Sequence, residues 1–187
     1  MKEKKQYTFL NKMARANGIV LWGSTSLAEQ PINELLQGLC IADSIYNRSM
    51  AGLRLKEAEQ VLNQCVLDLA PARVILNLGE EDVKISDDIT QMIEQYRWIL
   101  YKIHVELPKC QLVVTTVWGA GEICDRFNEE LKKLAKEFGC TFYRIPSVST
   151  GEEFIPAFLS AVKISLYDSD LGYSCIAARA VFDLMMQ

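Results

Sequence analysis

Histidine is almost absent: the 187 residues contain one, His104. An imidazole base beside a nucleophile, or several imidazoles around a metal, is therefore limited to what His104 can reach. It falls in a helix-like segment, Trp98–Pro108, remote from the polar loops described below, and reads as a partly exposed helix residue. Long apolar runs are also missing. Half of the residues are hydrophobic, yet no run approaches the roughly 18–20 needed to cross a bilayer. No apolar stretch follows the basic residues of Met1–Asn17, so this extension does not read as a secretory signal. It reads as a helix, either exposed and basic or docked through Tyr7, Phe9, Leu10 and Met13, with docking favoured. The six cysteines (Cys40, Cys65, Cys110, Cys124, Cys140 and Cys175) include no C-x-x-C pair. This excludes a zinc knuckle and a dense disulfide framework. Free buried thiols in a cytoplasmic protein are the expectation. A net charge of −4 argues against a general nucleic-acid binder. No repeat, linker or low-complexity segment divides the chain, so residues 1–187 are expected to form one domain.

What is present is an alternation of short apolar runs and helical periodicity. The expected strands are Ile19–Trp22, Ala42–Tyr46, Val74–Leu78, Leu112–Val117 and Thr141–Ile145. Their nearly continuous apolar character is that of strands covered on both faces. The expected helices are Leu27–Leu39, Arg54–Leu69, Asp88–Glu106, Ile123–Phe138 and Ser174–Met186, with Ser147–Tyr173 irregular. Pro71, Pro108 and Gly139 fall where helices should stop. This order implies a parallel sheet with helices on both faces, an α/β/α sandwich. The site of such a sheet lies at the C-terminal ends of its strands, here the loops Gly23–Ser26, Asn47–Gly52 and Gly79–Asp82.

The first loop follows Gly18-Ile-Val-Leu-Trp-Gly-Ser-Thr-Ser26, a strand ending in three hydroxyl residues before a helix. With Asn47-Arg-Ser-Met-Ala-Gly52 and Gly79-Glu-Glu-Asp82, it resembles the motif blocks of the SGNH (GDSL-type) hydrolases. The resemblance runs from about Gly18 to the C-terminus. It implies a flavodoxin-like five-stranded parallel sheet in the order 2-1-3-4-5 and descent from an ester hydrolase. It places Thr25 at the nucleophile, with Gly23 retained and Ser24 in place of an aspartate. Ser49 falls at a glycine that donates an oxyanion N–H, with Asn47, Arg48 and Gly52 kept. Glu81 falls at the oxyanion asparagine, with Gly79 and Asp82 kept. The D-x-x-H block is best matched by Asp170-Leu-Gly-Tyr173, with Tyr173 at the histidine; a start at Asp168 would put Leu171 there.

These replacements bear on chemistry directly. A hydroxyl is a poor nucleophile until a base removes its proton, and a tyrosine with a pKa near 10 is a poor base at neutral pH. A carboxylate repels the charge that an oxyanion hole must attract. The first expectation is therefore a protein with largely lost ester-hydrolase machinery, binding a small acylated or carbohydrate-like ligand or a protein. The second is an atypical esterase using Thr25, or Ser24 or Ser26 if the turn slips by one residue. The third is a metal-assisted hydrolase built on Glu80, Glu81, Asp82 and Asp170. No cofactor and no resident metal are expected. Each site residue also has a plainer reading. Ser24, Thr25 and Ser26 suit helix capping, Glu80–Asp82 suit a solvated acidic loop, and Cys175 suits a helix core face.

Overall fold

The computed structural model describes residues 2–32 and 44–145. Five strands form one sheet: β1 (Ile19–Gly23), β2 (Ile45–Asn47), β3 (Arg73–Asn77), β4 (Gln111–Thr115) and β5 (Thr141–Tyr143). All pair in parallel, in the order β2-β1-β3-β4-β5. The helices are α1 (Lys2–Asn11), α2 (Thr25–Ala28), α3 (Leu55–Cys65), α4 (Ile89–Glu106) and α5 (Glu122–Glu137). Fold class and strand order are those expected.

The central strands are apolar because both of their faces are covered. Val20, Leu21, Trp22, Val74, Ile75 and Leu76 are all buried, as residues between two helix layers must be. The main core cluster joins one sheet face to Leu55, Leu62, Tyr96, Ile99, Phe127 and Leu131 of α3, α4 and α5.

Several features differ from expectation: where a helix over Leu27–Leu39 is expected, α2 starts at Thr25 and stops at Ala28. The expected helix Arg54–Leu69 divides: α3 ends at Cys65, a 3₁₀ turn covers Leu67–Leu69, and Ala70 takes the left-handed conformation at φ 40° before Pro71. The second strand begins at Ile45 among the described residues and runs to Asn47. At the N-terminus, Tyr7 and Leu10 are partly buried, but Phe9 and Met13 remain exposed. Helix α1 thus docks on a narrower face than its four apolar residues suggested. The part of the expected helix Leu27–Leu39 beyond Ile32, the segment Ser147–Tyr173 and the expected helix Ser174–Met186 lie outside the described residues.

Candidate active site

Register alone brings two of the motif loops together. Gly23 at the end of β1 pairs with Asn77 at the end of β3, so the loops that follow leave the sheet side by side. The third arrives from β2, on the other edge of β1.

The Asn47–Gly52 loop is laced onto the end of β1. Gly23 N–H donates to Ser49 Oγ at 2.9 Å, and Met50 N–H donates to the Gly23 carbonyl at 3.1 Å. Ser49 N–H donates to Asn47 Oδ1 at 3.0 Å, and Asn47 Nδ2 donates to the Leu27 carbonyl at 3.0 Å. The N–H of Ser49 is therefore spent inside the loop. The one that faces the candidate nucleophile belongs to Gly52, which donates to Thr25 Oγ1 at 2.8 Å.

Thr25 donates its own proton to Glu81 Oε1 at 2.7 Å. Its hydroxyl is thus held by one residue from each of the other two loops. The flanking hydroxyls point elsewhere. Ser24 is buried and donates to the Leu53 carbonyl at 3.0 Å. Ser26 Oγ is buried and has no hydrogen-bond partner among the described residues. The capping expectation is corrected here: Ser24 occupies the N-cap of α2 without a side-chain cap bond. The Glu80 carboxylate reaches across instead and accepts from Ser26 N–H at 3.0 Å.

The three acidic residues do not form a solvated patch. Glu80 is 2% exposed and Asp82 7%. Gly79, at φ 105°, starts a helical turn in which the Asp82 and Val83 N–H groups return to the Gly79 carbonyl. That turn sets Lys84 beside Glu80 and Glu81, with Nζ 3.0 Å from each carboxylate. Asp82 turns away and accepts from Leu55 N–H at 3.1 Å. Lys84 is the residue that motif reading missed. Its signal was the i+4 and i+3 spacing from Glu80 and Glu81, which matters only once the loop is known to be helical.

Burial works to raise the Glu81 carboxyl, but the Thr25 hydroxyl and the Lys84 ammonium outweigh it and hold it below its ordinary range. Burial pushes Asp82 up. Burial also opposes the charge on Lys84, but both glutamates keep its pKa above the ordinary value. The result is an ionised Glu81 bridging a hydroxyl and an ammonium.

Among the described residues, no group of three or more His, Cys, Asp or Glu side chains is arranged to hold a metal. The space between Glu80 and Glu81 is served by Lys84. Cys65, Cys110, Cys124 and Cys140 are thiols outside any disulfide. His104 is exposed on α4 and lines a cavity with Arg73 and Gln111, which begin β3 and β4. It therefore lies at the opposite end of the sheet from Thr25. Asp168, Asp170, Leu171, Tyr173 and Cys175 lie outside the described residues. A cavity of about 480 Å³ adjoins the network, lined by Glu80, Val83, Lys84, Trp118, Ile123 and Cys124. Among the described residues, no helix is long and apolar enough to cross a membrane.

No protein-family model matches the chain, and no curated protein matches it. Solved structures do. A Streptococcus pneumonia protein described as a platelet activating factor superposes with a TM-score of 0.77 at 16% identity, covering 89% of this chain and 92% of its own. A GDSL-like lipase from Bacteroides thetaiotaomicron gives 0.74 at 14% identity, over 88% and 97%. An acetylxylan esterase from Geobacillus stearothermophilus, solved as a catalytic mutant, gives 0.61 at 13% identity, over 79% and 95%. With five parallel strands in the order β2-β1-β3-β4-β5 and these superpositions, this chain has the fold of the SGNH hydrolases.

Proposed function

We propose that this chain is an SGNH-fold binding protein whose ester-hydrolase machinery is silent, and that its cleft holds a small acylated or carbohydrate-like ligand. The observation that carries the reading is the 2.7 Å hydrogen bond from Thr25 to Glu81. An attack by Thr25 on an ester would develop negative charge beside an ionised carboxylate. Two like charges about 4 Å apart at an effective dielectric near 20 repel by about 4 kcal/mol. A single oxyanion donor is worth about 2.7–4 kcal/mol, so the Gly52 N–H at best offsets Glu81. The base is equally deficient. A carboxylate held below its ordinary range takes a hydroxyl proton poorly, and the chain's one histidine is at the wrong end of the sheet.

In this reading Tyr173 and Asp170 stand at the positions of the lost base and its partner, and Gly52 replaces Ser49 as the donor beside Thr25. Gly23, Ser24, Ser26, Asn47, Gly79 and Asp82 belong to the three loops that meet at Thr25 and the expected cleft. A second reading has one observation in its favour. A hydroxyl donating to a carboxylate at 2.7 Å is the geometry of a nucleophile and its base, so Thr25 and Glu81 would form an atypical esterase pair.

Turnover of short-chain acyl esters at pH 7–8 separates the readings. The binding-protein reading expects the wild-type rate to equal that of Thr25→Ala. A clear excess over Thr25→Ala that persists with a chelator supports the esterase pair. One that disappears with a chelator supports metal assistance through the Glu80, Glu81 and Asp82 cluster. Restoration tests the placement itself. Thr25→Ser, Glu81→Asn and Tyr173→His together should create measurable hydrolysis, whereas each alone does little, because such residues act as a unit. Leu171→His replaces Tyr173→His in a parallel variant. If both triple variants fold and neither exceeds background, the site assignment is wrong.

A further inference from the structure

The N-terminal helix reaches the site from outside the sheet. Tyr7 OH on α1 donates to the Ser49 carbonyl at 2.5 Å. Arg48, the next residue back along the loop, is 5% exposed. Its guanidinium lies between two rings, 5.1 Å from the Tyr7 centroid and 5.4 Å from that of Tyr46. Its Nε and Nη2 both donate to Asn11 Oδ1 at 3.1 Å. Asn11 in turn donates to the Gln64 carbonyl of α3 at 2.8 Å. The backbone at Arg15 closes the arrangement, with its N–H donating to Tyr46 OH at 2.7 Å.

The Tyr7 bond and the Arg48 contacts end on the segment that also holds Thr25. Ser49 accepts from Gly23, Met50 donates to Gly23, and Gly52 donates to the Thr25 hydroxyl. The loop is thus clamped between β1 on one side and α1 on the other. Helix α1 has little intrinsic strength. It is ten residues long, and isolated helices shorter than about 12–15 residues are marginal in water. Phe9 and Met13 face solvent, so Tyr7 and Asn11, with partly buried Leu10, carry its docking.

We propose that Tyr7, Asn11 and Arg48 are positioning residues: α1 is a clasp that sets the Asn47–Gly52 loop and, through Gly52, the orientation of the Thr25 hydroxyl. The inference rests on Thr25 being the centre of the site. It makes the N-terminal helix a control element, because undocking it frees one side of the hydroxyl. An arginine suits this place better than a lysine. Its planar head stacks between rings and offers two N–H groups to one oxygen.

The test is amide hydrogen exchange on the full chain, comparing Ser49, Met50 and Gly52 with Leu21 and Ile75 of the central strands. Tyr7→Phe removes one O–H and keeps the ring. Loss of one such bond is expected to speed exchange at the three loop amides about fivefold, with the strand amides unchanged. Asn11→Ala and Arg48→Lys should act in the same direction. A second readout follows the Gly52 amide chemical shift during acid titration. In the wild type it should report Glu81 through Thr25, and Glu81→Gln should abolish the response. Tyr7→Phe should shrink its amplitude. Equal acceleration of loop and strand amides would reduce Tyr7 to a general stability contact and overturn the proposal, as would an unchanged loop. Neither readout involves turnover, so vigorous esterase activity would sink the binding-protein reading without touching this result.

Discussion

The two ends of the parallel sheet hold similar side chains and use them differently. At the C-terminal end, Thr25, Glu80, Glu81, Asp82 and Lys84 are knitted to one another or to backbone N–H groups. At the N-terminal end, a cavity of about 400 Å³ is lined by Arg73, His104, Cys110 and Cys140, among others. That end holds the chain's only imidazole and two thiols, the groups usually recruited as base and nucleophile. Yet burial pushes both thiols up to about 11, so they stay protonated and inert at neutral pH. The far end has thiols that burial keeps protonated, and among the described residues the near end has a hydroxyl paired with a carboxylate and no imidazole. Possession of a residue decides little until topology assigns it an end.

That contrast can be broken most forcefully at two glycines. Gly79 has φ 105°, and a Cβ there would fall 2.6 Å from Phe127. Gly79→Ala should cost about 3 kcal/mol, from backbone strain and overpacking together, and should misplace Glu80 and Glu81. Gly139, at the far end, has φ 66° with nothing within 4 Å of an added Cβ. Gly139→Ala should cost about 1 kcal/mol, the left-handed penalty alone. Denaturant midpoints measure both, and equal costs would mean that the site loop relaxes freely.

The acid dependence of stability sharpens the same comparison with a smaller effect. The folded Glu81 carboxyl lies below its ordinary value of 4.5. Its contribution is therefore present above that value and lost as pH falls through the folded one. Glu81→Gln should lower stability at neutral pH by about 1 kcal/mol and flatten the loss on acidification. Asp82 has the opposite sign. Its carboxyl is raised above 3.8 by burial, so its contribution is full below that value and lost as pH rises through the folded one. Asp82→Asn should therefore compare more favourably with wild type at pH 7 than at pH 3. Thermal melts across that range check both, and parallel curves for wild type and Glu81→Gln would contradict the Thr25–Glu81–Lys84 bridge. The smallest effect is expected at His104. It is exposed, so His104→Ala should change stability by less than about 0.5 kcal/mol. Any ester hydrolysis lost with it would show that the far end reaches the chemistry after all.

Much of the scaffold was legible because it depends on local pattern. Val74-Ile-Leu and Leu112-Val-Val read as buried strands, and Asp88 reads as the start of α4, where its side chain accepts from Gln91 N–H at 2.9 Å. The site was only partly legible. Thr25 and Glu81 stand out in the sequence, and they are in direct contact. The acidic loop was misread as solvated because burial of Glu80 depends on Ser26 and Lys84 arriving from other positions. The resemblance places Ser49 at the donor position, but its N–H donates to Asn47 Oδ1, because motif spacing carries no information on where an N–H points.

The sequence by itself determined the strand and helix order, and with it a parallel sheet whose ends gather the three motif loops. Periodicity and turn residues act within a few positions of the chain, so they survive without knowledge of the fold. It also determined that no imidazole follows the C-terminal ends of the first three strands. Only the tertiary structure decided that the Thr25 hydroxyl donates a hydrogen bond to Glu81, that Lys84 favours the charged form of that carboxylate, and that Tyr7 and Asn11 contact the loop from behind. Apart from Lys84, which lies three positions from Glu81, these contacts join residues 37 to 56 positions apart. Their energies depend on burial and on distances of a few tenths of an ångström, which no pattern in a linear chain encodes.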